Sequence, residues 1–171
     1  IIVSGQTSAV SPEWTAYAPP EVSGVTGPGA TLARTEGGDA VVVAGDFFGP
    51  ANDAAATIRA FYGGPDANEY EATGCVVIGD TNQAIRCETA PGTGRDHSWM
   101  VSVSDQTSAV FAAATSYAPP TLVRFVGPGS NKNADTAGGE VITIHGLNFG
   151  DIDAAAVAAF GHEGDEYGTN M

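Results

Sequence analysis

Residues 36–49 read EGGDAVVVAGDFFG, and residues 137–150 read AGGEVITIHGLNFG. Each stretch has two glycines, a run rich in valine or isoleucine, another glycine and a final Phe-Gly. β-branched runs bounded by glycine are typical of short strands that end in tight turns. In the second copy, Ile142 and Ile144 alternate with polar residues, which predicts that the isoleucines face inward. The sequence therefore predicts strands here, and it indicates that one structural unit occurs twice.

The similarity extends well beyond these two stretches. With an offset of 100 residues, the chain repeats three short sequences, which are QTSAV at 6–10, YAPP at 17–20 and GPG at 27–29. A period of about 100 residues is the size of an immunoglobulin-like domain, not of a short solenoid repeat. We therefore expect the C-terminal strand or strands of one domain at 1–18, a complete domain at 19–118 and the N-terminal part of a third at 119–171. Because both ends then fall inside domains, we expect a processed product or an excerpt of a longer chain.

The complete domain contains further segments with the composition of strands, at residues 57–62, 74–78, 83–89, 98–104 and 109–116. In the fourth of these segments, Trp99, Val101 and Val103 share one face, as in a half-buried strand. Alanines precede residues 57 and 157, and by propensity alone they suit a helical turn. The β-like sequence that follows them nevertheless predicts strands in both copies.

Cys75 and Cys87 are the only cysteines. Both occupy predicted inward positions, and residues 79–82 (GDTN) between them are typical of a hairpin turn. The hairpin could bring the two sulfurs together, and such a cross-link would contribute about 2–4 kcal/mol and imply an oxidising compartment. The alternative is two buried free thiols. A zinc site has too few ligands here.

Composition excludes several classes of function. Twenty acidic and six basic residues leave a net charge of -14, which disfavours nucleic acid and anionic lipid as partners. The longest apolar run, at 154–160, is too short for a membrane span of about 18 residues or more, so no membrane insertion is predicted. The three histidines are isolated and no Gly-x-Ser-x-Gly sequence occurs, so we predict neither an enzyme nor a cofactor. The acids near one predicted domain end match no calcium-loop spacing, and we predict no metal site; they are Asp46, Asp151, Asp153, Glu163, Asp165 and Glu166.

The glycine and hydrophobic pattern at 37–49 and at 138–150 resembles the core motif of the IPT/TIG domain. This resemblance covers nearly the whole chain and implies tandem immunoglobulin-like β-sandwiches. C-x11-C followed by Thr-Ala-Pro-Gly at 89–92 resembles the extracellular branch of the family, in which the comparable cysteines form a disulfide. The resemblance thus implies a Cys75–Cys87 disulfide and an extracellular or cell-surface location. It implies no particular function, because the fold occurs in receptors, fibres and enzyme appendages alike.

The two YAPP sequences are predicted to be stiff junctions, since consecutive prolines restrict the backbone and remove hydrogen-bond donors. An array of domains joined in this way is a rod. Asn-x-Ser/Thr does not occur, but several positions resemble hydroxyproline or O-glycan sites. These candidate glycosylation sites are Ser11, Pro12, Pro19, Pro20, Pro119 and Pro120; the alternative is that they are plain linker residues.

These observations predict a structural segment of an extracellular fibre, appendage or surface coat, which self-associates end to end and carries attached carbohydrate. The alternative is a receptor or adhesin that binds a protein or glycan through the loop at 63–70, with Asp66, Asn68, Glu69 and Tyr70 as candidate contacts. A third class is an accessory module of a carbohydrate-active enzyme. For assembly, the tail of one subunit could complete the head of the next, or one continuous polypeptide could carry both; sequence alone favours the continuous chain.

Overall fold

The computed structural model describes residues 1–51, 57–130, 134–151, 154 and 156–170. The fold is all-β, as the sequence predicts. In chain order, the strands in the described residues are β1 (Ile2–Val3), β2 (Gln6–Thr7), β3 (Glu21–Thr26), β4 (Ala40–Asp46), β5 (Ile58–Gly63), β6 (Tyr70–Val77), β7 (Ala84–Glu88), β8 (His97–Val103), β9 (Gln106–Thr107), β10 (Phe111–Thr115), β11 (Thr121–Val126), β12 (Thr143–Leu147), β13 (Val157–Phe160) and β14 (Tyr167–Asn170). Short 3₁₀ turns follow β3 and β11, at Pro28–Ala30 and Pro128–Ser130.

Strands β3 to β10 form one antiparallel sheet, which we call the central sheet. Its order is β10-β8-β5-β6-β7-β4-β3, and β9 pairs with β8. β6 belongs to both halves of the central sheet, because its first residues pair with β5 and its last residues pair with β7. The register shifts between Thr73 and Val76, and Gly74 in this interval has a φ of 61°. A bulge of this kind bends a strand, so the sheet curls and its halves face each other.

The core lies between the two halves of the central sheet. One half contributes Val41, Val43, Ile85 and Cys87, and the other contributes Ala60, Tyr62, Trp99 and Val101. Each of these side chains is almost completely buried. They occupy alternate positions along their strands, as the sequence predicts for Trp99 and Val101. Removal of this apolar surface from water is the main force that holds the curled sheet together.

The structure contains the strands that the sequence predicts, with two main differences, one in the central sheet and one outside it. The predicted strand at 74–78 is only the second part of β6, which begins at Tyr70. In the second copy of the motif, β12 begins at Thr143, and Ile142 is 41% exposed instead of inward. Ile142 is exposed because, among the described residues, β11 and β12 form a separate two-stranded sheet with no second half-sheet packed over this face. The alanines at 54–56 and 155 lie outside the described residues.

The repeated sequences have the same local geometry in both places. β1 and β2 pair with Ile2 opposite Thr7, and β8 and β9 pair in the same register with Ser102 opposite Thr107. β11 and β12 reproduce the register of β3 and β4, including a shift two residues into the first strand. The double glycines agree as well, with φ of 75° and 80° in one copy and 74° and 85° in the other. Similar local sequences therefore adopt similar backbones in very different surroundings.

Candidate assembly site

Strands β11 to β14 have an exposed apolar face, which we call the acceptor face. Its members are Leu122, Phe125, Ile142, Phe160 and Tyr167, and each of these side chains is exposed. By register, Phe160 is the counterpart of Tyr62, because these residues pair with Tyr167 and Tyr70 in equivalent hairpins. Tyr62 is 2% exposed, whereas Phe160 is 54% exposed. The acceptor face therefore resembles half of a core, and exposed apolar surface of this kind marks an interaction site.

A cavity of about 730 Å³ opens beside the acceptor face. Leu122, Ile144, Phe149 and residues 156–159 line one side of it, and residues 93–95 and 117–120 line the other. The lining of the first side is apolar. The cavity thus lies where the interior of the unit formed by β11 to β14 would be.

The N-terminal residues have exposed apolar side chains too. The exposed fractions of Ile1, Ile2, Val3, Trp14 and Tyr17 are 66% or more, and Trp14 and Tyr17 are almost fully exposed. Tyr17 is the sequence counterpart of Tyr117, which is 5% exposed. The tyrosine of the repeated YAPP sequence is therefore buried at one place in the chain and exposed at the other.

Tyr117 shows what the second copy of this sequence does in the central sheet. Its hydroxyl donates a hydrogen bond to the carbonyl oxygen of Ala90 at 2.7 Å, and it is hydrogen bonded to the hydroxyl of Tyr62. The Tyr62 hydroxyl also accepts from the backbone N–H of Ala90 at 2.9 Å. Burial raises the pKa of both tyrosines, so both stay neutral. The two phenols thus hold Ala90, which follows β7, against Tyr117 of the second YAPP sequence.

His97 lies beside these tyrosines and is the least expected residue of the core. Its ring makes edge-on contacts with Tyr62, Tyr70 and Tyr117, with centroid distances of 5.6 to 6.0 Å. The side chain is buried, and within the described residues neither ring nitrogen has a hydrogen-bond partner. Burial lowers the pKa of His97, and the charge of Glu69, the nearby backbone groups of Gly94 and Thr93 and the charge of Asp96 oppose this effect. The folded protein therefore favours the neutral imidazole.

We expect His97 to make the fold sensitive to acid. Because its folded-state pKa lies below the ordinary value of about 6.5, protonation favours the unfolded chain. The stability contributed by neutral His97 is complete above pH of about 6.5 and is lost as the pH falls towards the folded-state pKa. The free energy of unfolding is measured by chemical denaturation at several pH values between about 8 and 5, roughly the range in which histidine titrates.

The matched variants are His97→Phe, which removes the titrating group, and His162→Phe, whose ring is 94% exposed in the wild type. The first should have a flatter dependence of unfolding free energy on pH than the wild type, and the second should follow the wild type. Equal slopes for all three proteins would contradict the expectation.

Cys75 and Cys87 form a disulfide in the structure, with their Cα atoms 4.2 Å apart. It links the neighbouring strands β6 and β7, whose register places Val76 opposite Arg86 and Val77 opposite Ile85. Cys87 is fully buried, and Cys75 packs against the same core. Of the two alternatives in the sequence, the structure therefore has the cross-link, and the described residues contain no free cysteine.

The candidate ligand loop is only partly available to a ligand. Asp66, Asn68 and Glu69 are exposed. Tyr70, in contrast, is half-buried in the aromatic cluster, and its hydroxyl donates to the carbonyl oxygen of Thr93 at 3.0 Å. Tyr70 thus belongs to the interior of the central sheet, and the spacing of residues in the sequence does not show this.

Five of the six candidate glycosylation positions are on the surface. Ser11, Pro12, Pro19, Pro119 and Pro120 are exposed. Pro20 is fully buried at the start of β3, so its ring has no room for an attached glycan. Within the two YAPP sequences, the acceptor positions that remain are therefore Pro19, Pro119 and Pro120.

The described residues contain no cluster of three or more histidine, cysteine or acidic side chains that could hold a metal ion. Of the acids considered in the sequence, Asp153 lies outside the described residues. In the part of the chain that the structure describes, no helix has the length and apolarity that a bilayer span requires.

Comparisons with known proteins add no relative. No protein-family model matches this chain, and no curated protein matches it.

Proposed function

We propose that this chain is a structural segment of an extracellular fibre, appendage or surface coat, built from tandem immunoglobulin-like β-sandwiches of the IPT/TIG type. The observation that carries the proposal is a pair of complementary exposed surfaces. The acceptor face corresponds to a half of the central core, and residues 1–18 correspond to a part of the chain that closes that core. In sequence, residues 1–18 precede the central sheet and the acceptor face follows it. Contact between them joins copies head to tail, and a head-to-tail contact that does not close into a ring produces a filament.

Three further observations support this proposal. The two YAPP junctions are identical in sequence, so that successive units are connected by similar stiff segments. The Cys75–Cys87 disulfide suits an oxidising environment outside the cell. Exposed Ser11, Pro12, Pro19, Pro119 and Pro120 provide surface positions for O-linked carbohydrate. In this reading the chain has no catalytic role and needs no cofactor, and its partners are neighbouring units and attached glycans.

Electron imaging of the purified chain tests the proposal. We expect fibres with an axial step of about 30–45 Å, the length of one domain with strands of this size. Discrete particles at high protein concentration would overturn it.

A receptor or adhesin role is the second candidate, and the exposed polar side chains of Asp66, Asn68 and Glu69 are the observation that favours it. If imaging shows discrete particles, a saturable affinity for a soluble protein or glycan that is lost in Asp66→Ala, Asn68→Ala and Glu69→Ala variants would support this role.

A further inference from the structure

We propose that β1 of one copy of this chain adds to the free edge of β13 in a second copy, antiparallel, with Ile2 opposite Val157. The inference rests on the proposed function, because it identifies the contact by which successive copies join. Strand addition of this type supplies main-chain hydrogen bonds for affinity and side-chain positions for specificity.

The central sheet contains the template for this contact. There β5 lies between β6 on one edge and β8 on the other. The register of the second pair places Ala60 opposite Val101, Arg59 opposite Ser102 and Ile58 opposite Val103. Immediately after these residues the chain turns back as β9. In the central sheet the end of β8 therefore covers the second edge of β5.

β13 is the equivalent of β5, and in the part of the chain that the structure describes no strand pairs with its second edge. β13 pairs with β14 as β5 pairs with β6, with Phe160 opposite Tyr167 and Tyr62 opposite Tyr70. The rings of each of these pairs lie 5.2 to 5.3 Å apart. Among the described residues, β14 is the only strand that pairs with β13. Its free edge borders the cavity of about 730 Å³.

Residues 1–7 have the same hairpin geometry as the end of β8 and β9, which pairs with β5 in the central sheet. The turn between β1 and β2 has positive φ at Ser4 (49°) and Gly5 (81°), and the turn between β8 and β9 has 47° and 66° at Ser104 and Asp105. In both hairpins, the residue after the second strand donates its N–H across to the first strand, as Ser8 does to the carbonyl oxygen of Ile1 at 2.9 Å. The hairpin is thus already formed before it meets a partner, which lowers the ordering cost of association.

Combining the two registers predicts the new contact. Ile1 and Ile2 are the counterparts of Val101 and Ser102, so they fall opposite Ala158 and Val157. Ile1 then points into the acceptor face, as Val101 points into the central core. Tyr17, the counterpart of Tyr117, reaches the neighbourhood of Phe160. Residues 1–18 supply no counterpart of Ile85 or Trp99, so this contact covers only a part of the acceptor face.

We assign the donor to a second copy because, within one copy, Tyr17 and the acceptor face lie at opposite ends of β8. The backbone oxygen of Tyr17 accepts a hydrogen bond from the side chain of Gln106, just beyond the end of β8. The cavity of the acceptor face is lined by residues 93–95, just before the start of β8. A strand of seven residues separates these points by about 20 Å. Charge also permits the contact, since Glu13 is the only charged side chain in residues 1–18 of this acidic chain.

Disulfide cross-linking between two variants, each with one introduced cysteine, tests the proposed register. Ile2→Cys and Val157→Cys variants are prepared separately, mixed, and exposed to mild oxidation with the native disulfide intact. Both side chains are exposed, at 70% and 71%, so neither substitution should disturb the fold. Directly opposed residues of antiparallel strands have Cα atoms about 4.5–5.5 Å apart, which suits a disulfide. The matched control mixes Val157→Cys with Val10→Cys, since Val10 is 95% exposed and lies outside the predicted strand pair.

Peptide mapping of the dimer band measures the yield of the mixed cross-link, and the same samples are imaged. We expect at least about a tenfold higher yield for positions 2 and 157 than for the control, because residues held apart cannot form the bond. Equal yields, or no mixed cross-link, would overturn the inference. Fibres without the mixed cross-link leave the proposed function standing and reject this contact. The cross-link without fibres supports the contact and rejects the fibre.

Discussion

Replacement of Trp99 by alanine is expected to destabilise the central sheet by about 3–5 kcal/mol. Trp99 is completely buried, and its indole stacks on the ring of Tyr62 with a centroid distance of 4.5 Å. Its ring N–H donates a hydrogen bond to the hydroxyl of Thr115 in β10 at 2.7 Å. The variant therefore leaves a large cavity and removes the partner of a buried hydroxyl, and both effects oppose folding.

Trp14→Ala is the matched control, because Trp14 is the same type of residue and is 96% exposed. Thermal unfolding followed by circular dichroism should show a fall in Tm of more than about 10 °C for Trp99→Ala. The Tm of Trp14→Ala should stay close to that of the wild type. Similar losses in both variants would mean that Trp99 is not the centre of the core described above.

Gly45→Ala is expected to cost about 3 kcal/mol or more, although it adds a single methyl group. Gly45 is the glycine that follows the hydrophobic run of β4. A Cβ atom there would overlap the carbonyl oxygen of Glu21 in β3 and would approach the ring of Phe48 within 2.7 Å. The first obstacle is backbone, so the neighbouring strand must move as a whole. The same position in the second copy, Gly146, faces the carbonyl oxygen of Thr121 and the ring of Phe149 in the same manner.

Gly24→Ala is the control for this prediction. Gly24 lies on the neighbouring strand β3, and the nearest atom to an added Cβ is the Ala44 methyl carbon at 4.0 Å. The free energy of unfolding of Gly24→Ala, measured by urea denaturation, should be within about 0.5 kcal/mol of the wild-type value. If Gly45→Ala also unfolds at the urea concentration of the wild type, the close approach of β3 to β4 at this glycine does not affect the free energy of unfolding.

Much of the central sheet could be predicted from local patterns. The inward positions of Trp99 and Val101 follow from strict alternation, and the hairpin of Cys75 and Cys87 follows from turn residues between two short strands. Local patterns place Tyr70 in the loop at 63–70 and give no sign of its contacts with the rings of Tyr62 and His97. The patterns were misleading at Ile142, since alternation describes a strand and says nothing about whether another strand covers it.

The cluster of Tyr62, Tyr117 and His97 could not be predicted, because its members are far apart in sequence. They meet only when β5, β8 and the start of the second YAPP sequence converge. One signal was present. The tyrosine of YAPP is conserved between the two copies of the sequence, and a tyrosine retained in a repeated junction suggests a partner for its hydroxyl.

The type of the strands, the turns between them and the occurrence of one pattern in two places can be predicted from the sequence, because they depend on residues close together in the chain. Which apolar side chains are covered depends on packing between distant segments. Tyr117 is buried and Tyr17 is exposed, and Tyr62 is buried while its counterpart Phe160 is open to solvent. The local sequences are alike, but burial depends on whether the strands from elsewhere that must pack against them are present.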